Sequence, residues 1–175
     1  MTLQYAPPPS AIGLMDLLYR VRCGEIATIE VGPEPELAVE LLRSVSQGLP
    51  IGAITLWRTW ERDTLLDGRK RISALIGALF DGGARYHLIN LEFQVGAAES
   101  NDHLDLRLMS DNTAFNKKKR DLSREAAIAS DGLWKVLYEY KVPLLTVIGD
   151  IATANKVRRN LNSHLPVSDG VSISS

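Results

Sequence analysis

The segment Leu65-Leu66-Asp67-Gly68-Arg69-Lys70-Arg71-Ile72-Ser73-Ala74-Leu75 constrains this chain most, because a strand pattern gives way to a helical one within two residues. Leu65 and Leu66 end an apolar run. Asp67-Gly68 then makes a sharp turn, glycine tolerating backbone angles that a Cβ penalises. From Arg69 onward Ile72, Leu75, Ile76 and Leu79 recur at the spacing of an amphipathic helix. Asp67 therefore stands at or beside the N-cap, where its carboxylate can accept the first free N–H groups. Arg71 follows four residues later, on the same side of the first turn. A helix N-terminus already carries about half a positive charge. Arg69, Lys70 and Arg71 crowd cations where the helix disfavours them, and that conflict marks a candidate anion site. The same strand, turn and helix with surface cations also occur in domains that bind nothing.

The rest of the chain alternates helical and strand-like patterns. Pro7-Pro8-Pro9 belongs to an extended lead-in over residues 1–10. Ser10 is positioned to cap a helix through about Arg22 with Ile12, Met15, Leu18 and Tyr19 on one face, closed by Gly24. A short strand over Thr28–Val31 and a Gly32-Pro33-Glu34-Pro35 turn precede a second helix, marked by Leu37, Leu41, Leu42 and Val45 and ending before Gly48. Ala53–Trp57 reads as a strand, joined through Glu61-Arg62-Asp63 to the strand that delivers Asp67. Beyond Asp81-Gly82-Gly83 the pattern predicts a core strand Tyr86–Phe93, a polar loop 96–103 and a half-buried strand carrying Leu104, Leu106 and Leu108. A short amphipathic helix Gly132–Tyr140, a strand Lys141–Ile148 and a helix from Asp150 to about Leu161 complete the order.

With 175 residues, 45% hydrophobic and 23% charged, one domain with a proper core is expected. A net charge of −1 sets up no molecule-wide attraction for nucleic acid, so any such binding needs a local basic patch. The densest positive run is Lys117, Lys118, Lys119 and Arg120, with Arg124 nearby. It is read either as a solvated loop or helix start, or as a sequence-independent contact to DNA phosphates. The single cysteine, Cys23, excludes an internal disulfide, and His87, His103 and His164 lack metal-ligand spacing, so no metal site is expected. No apolar run is long enough for a membrane span and no signal-peptide pattern opens the chain, which points to the cytoplasm and away from membrane partners.

The segment Leu-Leu-Asp-Gly-Arg-Lys-Arg-Ile-Ser-Ala-Leu resembles the signature of the ParB/sulfiredoxin-like fold. It is most similar to the N-terminal domain of GmrSD-type modification-dependent restriction proteins, whose motif runs apolar-Asp-Gly-Gln-Gln-Arg. Asp67, Gly68, Arg71 and Ile72 match, Ser73 replaces a threonine, and Arg69 and Lys70 stand where the family has two glutamines. The turn Gly48-Leu49-Pro50-Ile51-Gly52, the Val142-Pro143 strand and the segment Asn162–Ser168 extend the likeness over residues 11–168, leaving 169–175 as a polar tail. The family's Gln, Arg and Trp upstream of the second helix are replaced by Ile29–Pro35.

The resemblance implies an α+β single domain, a compact mixed sheet with flanking helices. It further implies a nucleotide held with magnesium. Gly68, Arg69, Lys70 and Ser73 would contact phosphate, while Asp67 and Arg71 would fill the catalytic positions. Loss of both glutamines implies that nucleoside triphosphate hydrolysis is weak or lost. The alternative is a non-enzymatic module of a bacterial or phage defence system, binding DNA backbone or a helical or nuclease protein partner. A scaffold without ligand is the third reading.

Overall fold

The computed structural model describes residues 10–28, 34–81, 86–89, 92–95 and 103–162. Its centre is a five-stranded mixed sheet in the order β1-β8-β3-β4-β2. These strands are β1 (Ser10–Gly13), β2 (Ile26–Ala27), β3 (Ile54–Arg58), β4 (Asp63–Asp67) and β8 (Lys141–Ile148). β3 and β4 form an antiparallel hairpin, with Leu56 opposite Leu65. β8 enters between β3, which it meets in parallel, and β1, which it meets antiparallel. β2 pairs with β4 in parallel at the other edge.

Among the described residues there are six α-helices: α1 (Leu14–Arg22), α2 (Pro35–Ser46), α3 (Arg69–Ile76), α4 (Asn112–Lys119), α5 (Arg124–Glu139) and α6 (Ile151–Asn162). α3 runs on into a wider π turn, Gly77–Asp81. The apolar stripes of α1, α2, α3 and α5 bury Leu14, Leu18, Leu42, Val45, Ile72, Leu75 and Leu137 against Ile54, Leu56, Leu65, Val142 and Leu144 of the sheet. Burying side chains of this size contributes about 1.5–3 kcal/mol each, which makes this cluster the main source of stability. Leu66 and Ala154 are buried outside it, where α6 packs on β4. A second, three-stranded antiparallel sheet has the order β6-β5-β7, from β5 (Tyr86–Ile89), β6 (Glu92–Val95) and β7 (His103–Asp105). β6 lies against α2. The chain is thus one mixed α+β domain, as expected.

Several local expectations are corrected. Ser10 caps no helix; it opens β1 opposite Leu144, and Gly13 is the N-cap of α1. Strand pairing with β8 takes the residues that a capping signal had claimed for the helix, and Tyr19 is left mostly exposed. The strand after α1 falls at Ile26–Ala27, upstream of the expected Thr28–Val31, of which 29–31 lie outside the described residues. The single strand expected over Tyr86–Phe93 is two, paired as a hairpin with His87 opposite Gln94. The alternation at Leu104, Leu106 and Leu108 does not yield a continuous strand. β7 stops at Asp105, whose carboxylate accepts the Arg107 N–H at 3.0 Å and starts a 3-10 turn over Leu106–Ser110. The helix expected at Gly132–Tyr140 begins at Arg124, because the Ser123 hydroxyl accepts the Ala126 N–H. The lead-in 1–9, the loop 96–102, Gly82-Gly83 and residues 163–175 lie outside the described residues. No described helix is long and apolar enough to cross a membrane.

Candidate functional site

β4 ends at Asp67, and Gly68 turns the chain into α3 with φ +87°. A Cβ at Gly68 would displace the tip of the Ile54 side chain, and the positive φ is the condition that favours glycine there. Gly68, not Asp67, is the N-cap, and no side chain caps the helix. The Asp67 carboxylate is turned aside to Arg71, whose Nη2 donates to it at 3.1 Å.

Arg71 reaches further. Its Nη1 donates to the Ile51 carbonyl at 2.5 Å and its Nη2 to the Ala53 carbonyl at 3.0 Å. Three of the five guanidinium N–H donors are therefore committed to the chain itself. The turn they hold is also gripped from the far side. The Tyr140 hydroxyl donates to the Leu49 carbonyl at 2.6 Å and accepts the Ile51 N–H at 3.0 Å. Gly52, at φ +86°, passes so close to the Arg71 guanidinium that a Cβ would strike Nη1. Asp67 and Arg71 thus work with Tyr140 as a clamp on the 49–53 turn. Tyr140 and Gly52 were not among the expected site residues. The Pro50-Ile51-Gly52 turn signal was visible, but its partner lies some ninety residues away.

The remaining cations of the motif diverge. Lys70 is exposed and pairs with Glu34 at the start of α2, 3.2 Å away. Arg69 is half-buried and makes no salt bridge with a described carboxylate. Burial lowers its pKa, the nearby positive charge of Arg158 on α6 lowers it further, and Asp67 partly opposes both. Arginine stays protonated regardless; the shift registers first a charge taken partly out of water and second the positive charge of Arg158 beside it. Ser73 is half-buried, one helical turn beyond Arg69 on the same face. The N–H groups of Arg69, Lys70 and Arg71 precede the first intrahelical bond, which runs from the Ile72 N–H to the Gly68 carbonyl.

The other basic run lies on separate elements. Lys117, Lys118 and Lys119 form the last turn of α4, Arg120 follows it and Arg124 opens α5. The run is a helix end, where the dipole favours cations, rather than the loop or helix start first considered. Lys119 is engaged with Asp131 at 2.8 Å and lies over the Phe115 ring. For magnesium the motif offers one carboxylate, Asp67, already paired with Arg71, and no cluster of three potential metal ligands occurs among the described residues. No protein-family model and no curated protein sequence matches this chain significantly.

Proposed function

We propose that this chain is a ParB/sulfiredoxin-like domain that binds the phosphate groups of a nucleotide at the start of α3 without appreciable hydrolysis. The observation that carries this reading is Arg69. It is a half-buried guanidinium held near Arg158, without a carboxylate partner among the described residues, beside free helix N–H groups. A phosphate would relieve that repulsion and take up those donors at once. Absence of turnover follows from the fates of Asp67 and Arg71. A carboxylate and a guanidinium spent on one another and on backbone carbonyls are poorly placed to activate water or follow developing charge. Arg69 and Lys70, in place of two glutamines, supply attraction without the amide groups that orient a water.

Thermal shift with a panel of nucleoside triphosphates tests this, comparing wild type with Arg69→Ala. Ligand at about 100 times its dissociation constant adds about 2.7 kcal/mol of stability. The expected result is a rise in melting temperature for the wild type that shrinks strongly in Arg69→Ala, with no phosphate released in a parallel assay. An equal rise in both proteins, or none in either, refutes the site. Phosphate release abolished by Asp67→Asn refutes the absence of turnover.

A further inference from the structure

The β3–β4 hairpin closes in a turn braced by its own backbone and side chains. The Thr59 N–H donates to the Arg62 carbonyl at 3.2 Å, and the Thr59 hydroxyl bonds to both the carbonyl and the N–H of Arg62. Just below, Arg58 grips Asp63 through two hydrogen bonds of 2.9 Å. Trp57 Nε1 donates to the Gly149 carbonyl at 3.0 Å, fastening the hairpin to the turn between β8 and α6. On this fixed tip Trp60 stands 93% exposed. A large ring left in water by a rigid turn is the informative kind of exposure, and it loses little freedom on binding.

α6 begins beside the hairpin, packs on β4 and brings Arg158 near Arg69. β4 and α6 therefore run together from the Trp60 tip to the start of α3. From Asp150 to Arg158 the helix covers about 12 Å. Two carboxylates along this path are ion-paired, Asp63 with Arg58 and Asp67 with Arg71, while Asp150 accepts the Thr153 N–H at 2.8 Å and keeps its charge at the start of α6. The exposed cations Arg62, Lys156 and Arg159 form no salt bridge with a described carboxylate. We infer that this surface binds single-stranded nucleic acid, one base stacking on Trp60 while the backbone follows Arg62 and the α6 cations towards Arg69. The inference rests on the phosphate-binding reading above, since the track ends at that site. A polyanion suits a row of uncompensated cations, and stacking on one ring accepts any base. Glu61, beside Trp60 and exposed, is the one carboxylate of the tip that opposes it.

Fluorescence anisotropy with a labelled oligothymidylate of about eight residues, at low and moderate salt, tests this on the full chain. Trp60→Ala is expected to weaken binding roughly 5- to 150-fold. Its salt dependence should stay unchanged, Trp60→Phe should restore most of the affinity, and Glu61→Gln should tighten it. Arg159→Ala should weaken binding and reduce the salt slope by about one. Trp60 carries no buried contact, so these variants fold, and circular dichroism verifies it. Failure of the oligonucleotide to bind overturns the proposal; if triphosphates still stabilise the chain, the phosphate site survives alone. Binding insensitive to Trp60→Ala and Arg159→Ala but lost on neutralising Lys117, Lys118 and Arg120 places the nucleic-acid surface on α4 and overturns it too. Self-association abolished by Trp60→Ala, without oligonucleotide binding, assigns the tip to protein contact and refutes the inference.

Discussion

At Gly68 the Ile54 side chain takes the place of a Cβ, whereas Gly52 leaves such a place open beside Arg71. The guanidinium fills that space and serves the Ile51 and Ala53 carbonyls with the planar fork that lysine lacks. Arg71→Lys should therefore lower stability by about 1–3 kcal/mol despite keeping the charge, as read by urea denaturation. The variant is consequently a poor probe of ligand contact, and Arg69 is the better one. A second ionic contact makes a pH prediction. Asp63 has only 9% of its side chain exposed against 51% for Arg58, so the carboxylate depends on its partner more than the reverse. Hydrogen bonding from Arg58 holds the Asp63 pKa below the usual carboxylate range, against the opposing effect of burial. A depressed folded-state pKa gives stability that is present above the unfolded value, about 3.9, and lost as pH falls through the folded one. Arg58→Ala should cost about 1–3 kcal/mol at pH 7. The difference from wild type should shrink below about pH 4, as followed by denaturation across pH.

Among elements, those with strong patterns were legible: α2, α3, β3, β4, β8 and α6 stand close to where periodicity and turn residues put them. The failures share a cause. β1 is four residues long and exists because β8, some 130 positions later, pairs with it; no local signal can report that. β7 was cut short by one carboxylate competing for a backbone N–H. The candidate site was half legible in the same way. Asp67-Gly68 and the helix behind them follow from residue type, but the direction taken by Arg71 depends on a turn brought in by β3, and Tyr140 arrives from the end of α5. α5 offers a test at this scale. Its cap is one hydroxyl, and Ser123→Ala should destabilise the domain by about 1 kcal/mol, measured by thermal unfolding. Asp111 does the same for α4 with two N–H groups, those of Thr113 and Ala114, so the basic run is carried on a helix with a well-satisfied start.

For the molecule as a whole, the charges nearly cancel, with 20 Lys and Arg against 21 Asp and Glu, so function depends on how they are segregated. Asp63 and Asp67 of the hairpin are ion-paired within the fold, while several cations of the hairpin and α6 are left to the solvent. The insertion of β8 between β1 and β3 sets a timetable for the chain's birth on the ribosome. A nascent polypeptide can make the β3–β4 hairpin early, yet β1 has no neighbour until residues 141–148 have emerged. Until then the apolar faces of α1 and the hairpin await their lid, the stage at which edge strands invite aggregation or a chaperone. A stalled chain ending at residue 140 should be cut rapidly by protease, and one long enough for residue 162 to have cleared the ribosome's exit tunnel should resist, as pulse proteolysis of arrested chains would read. Among the described strands, the last to be made is the one that closes the centre.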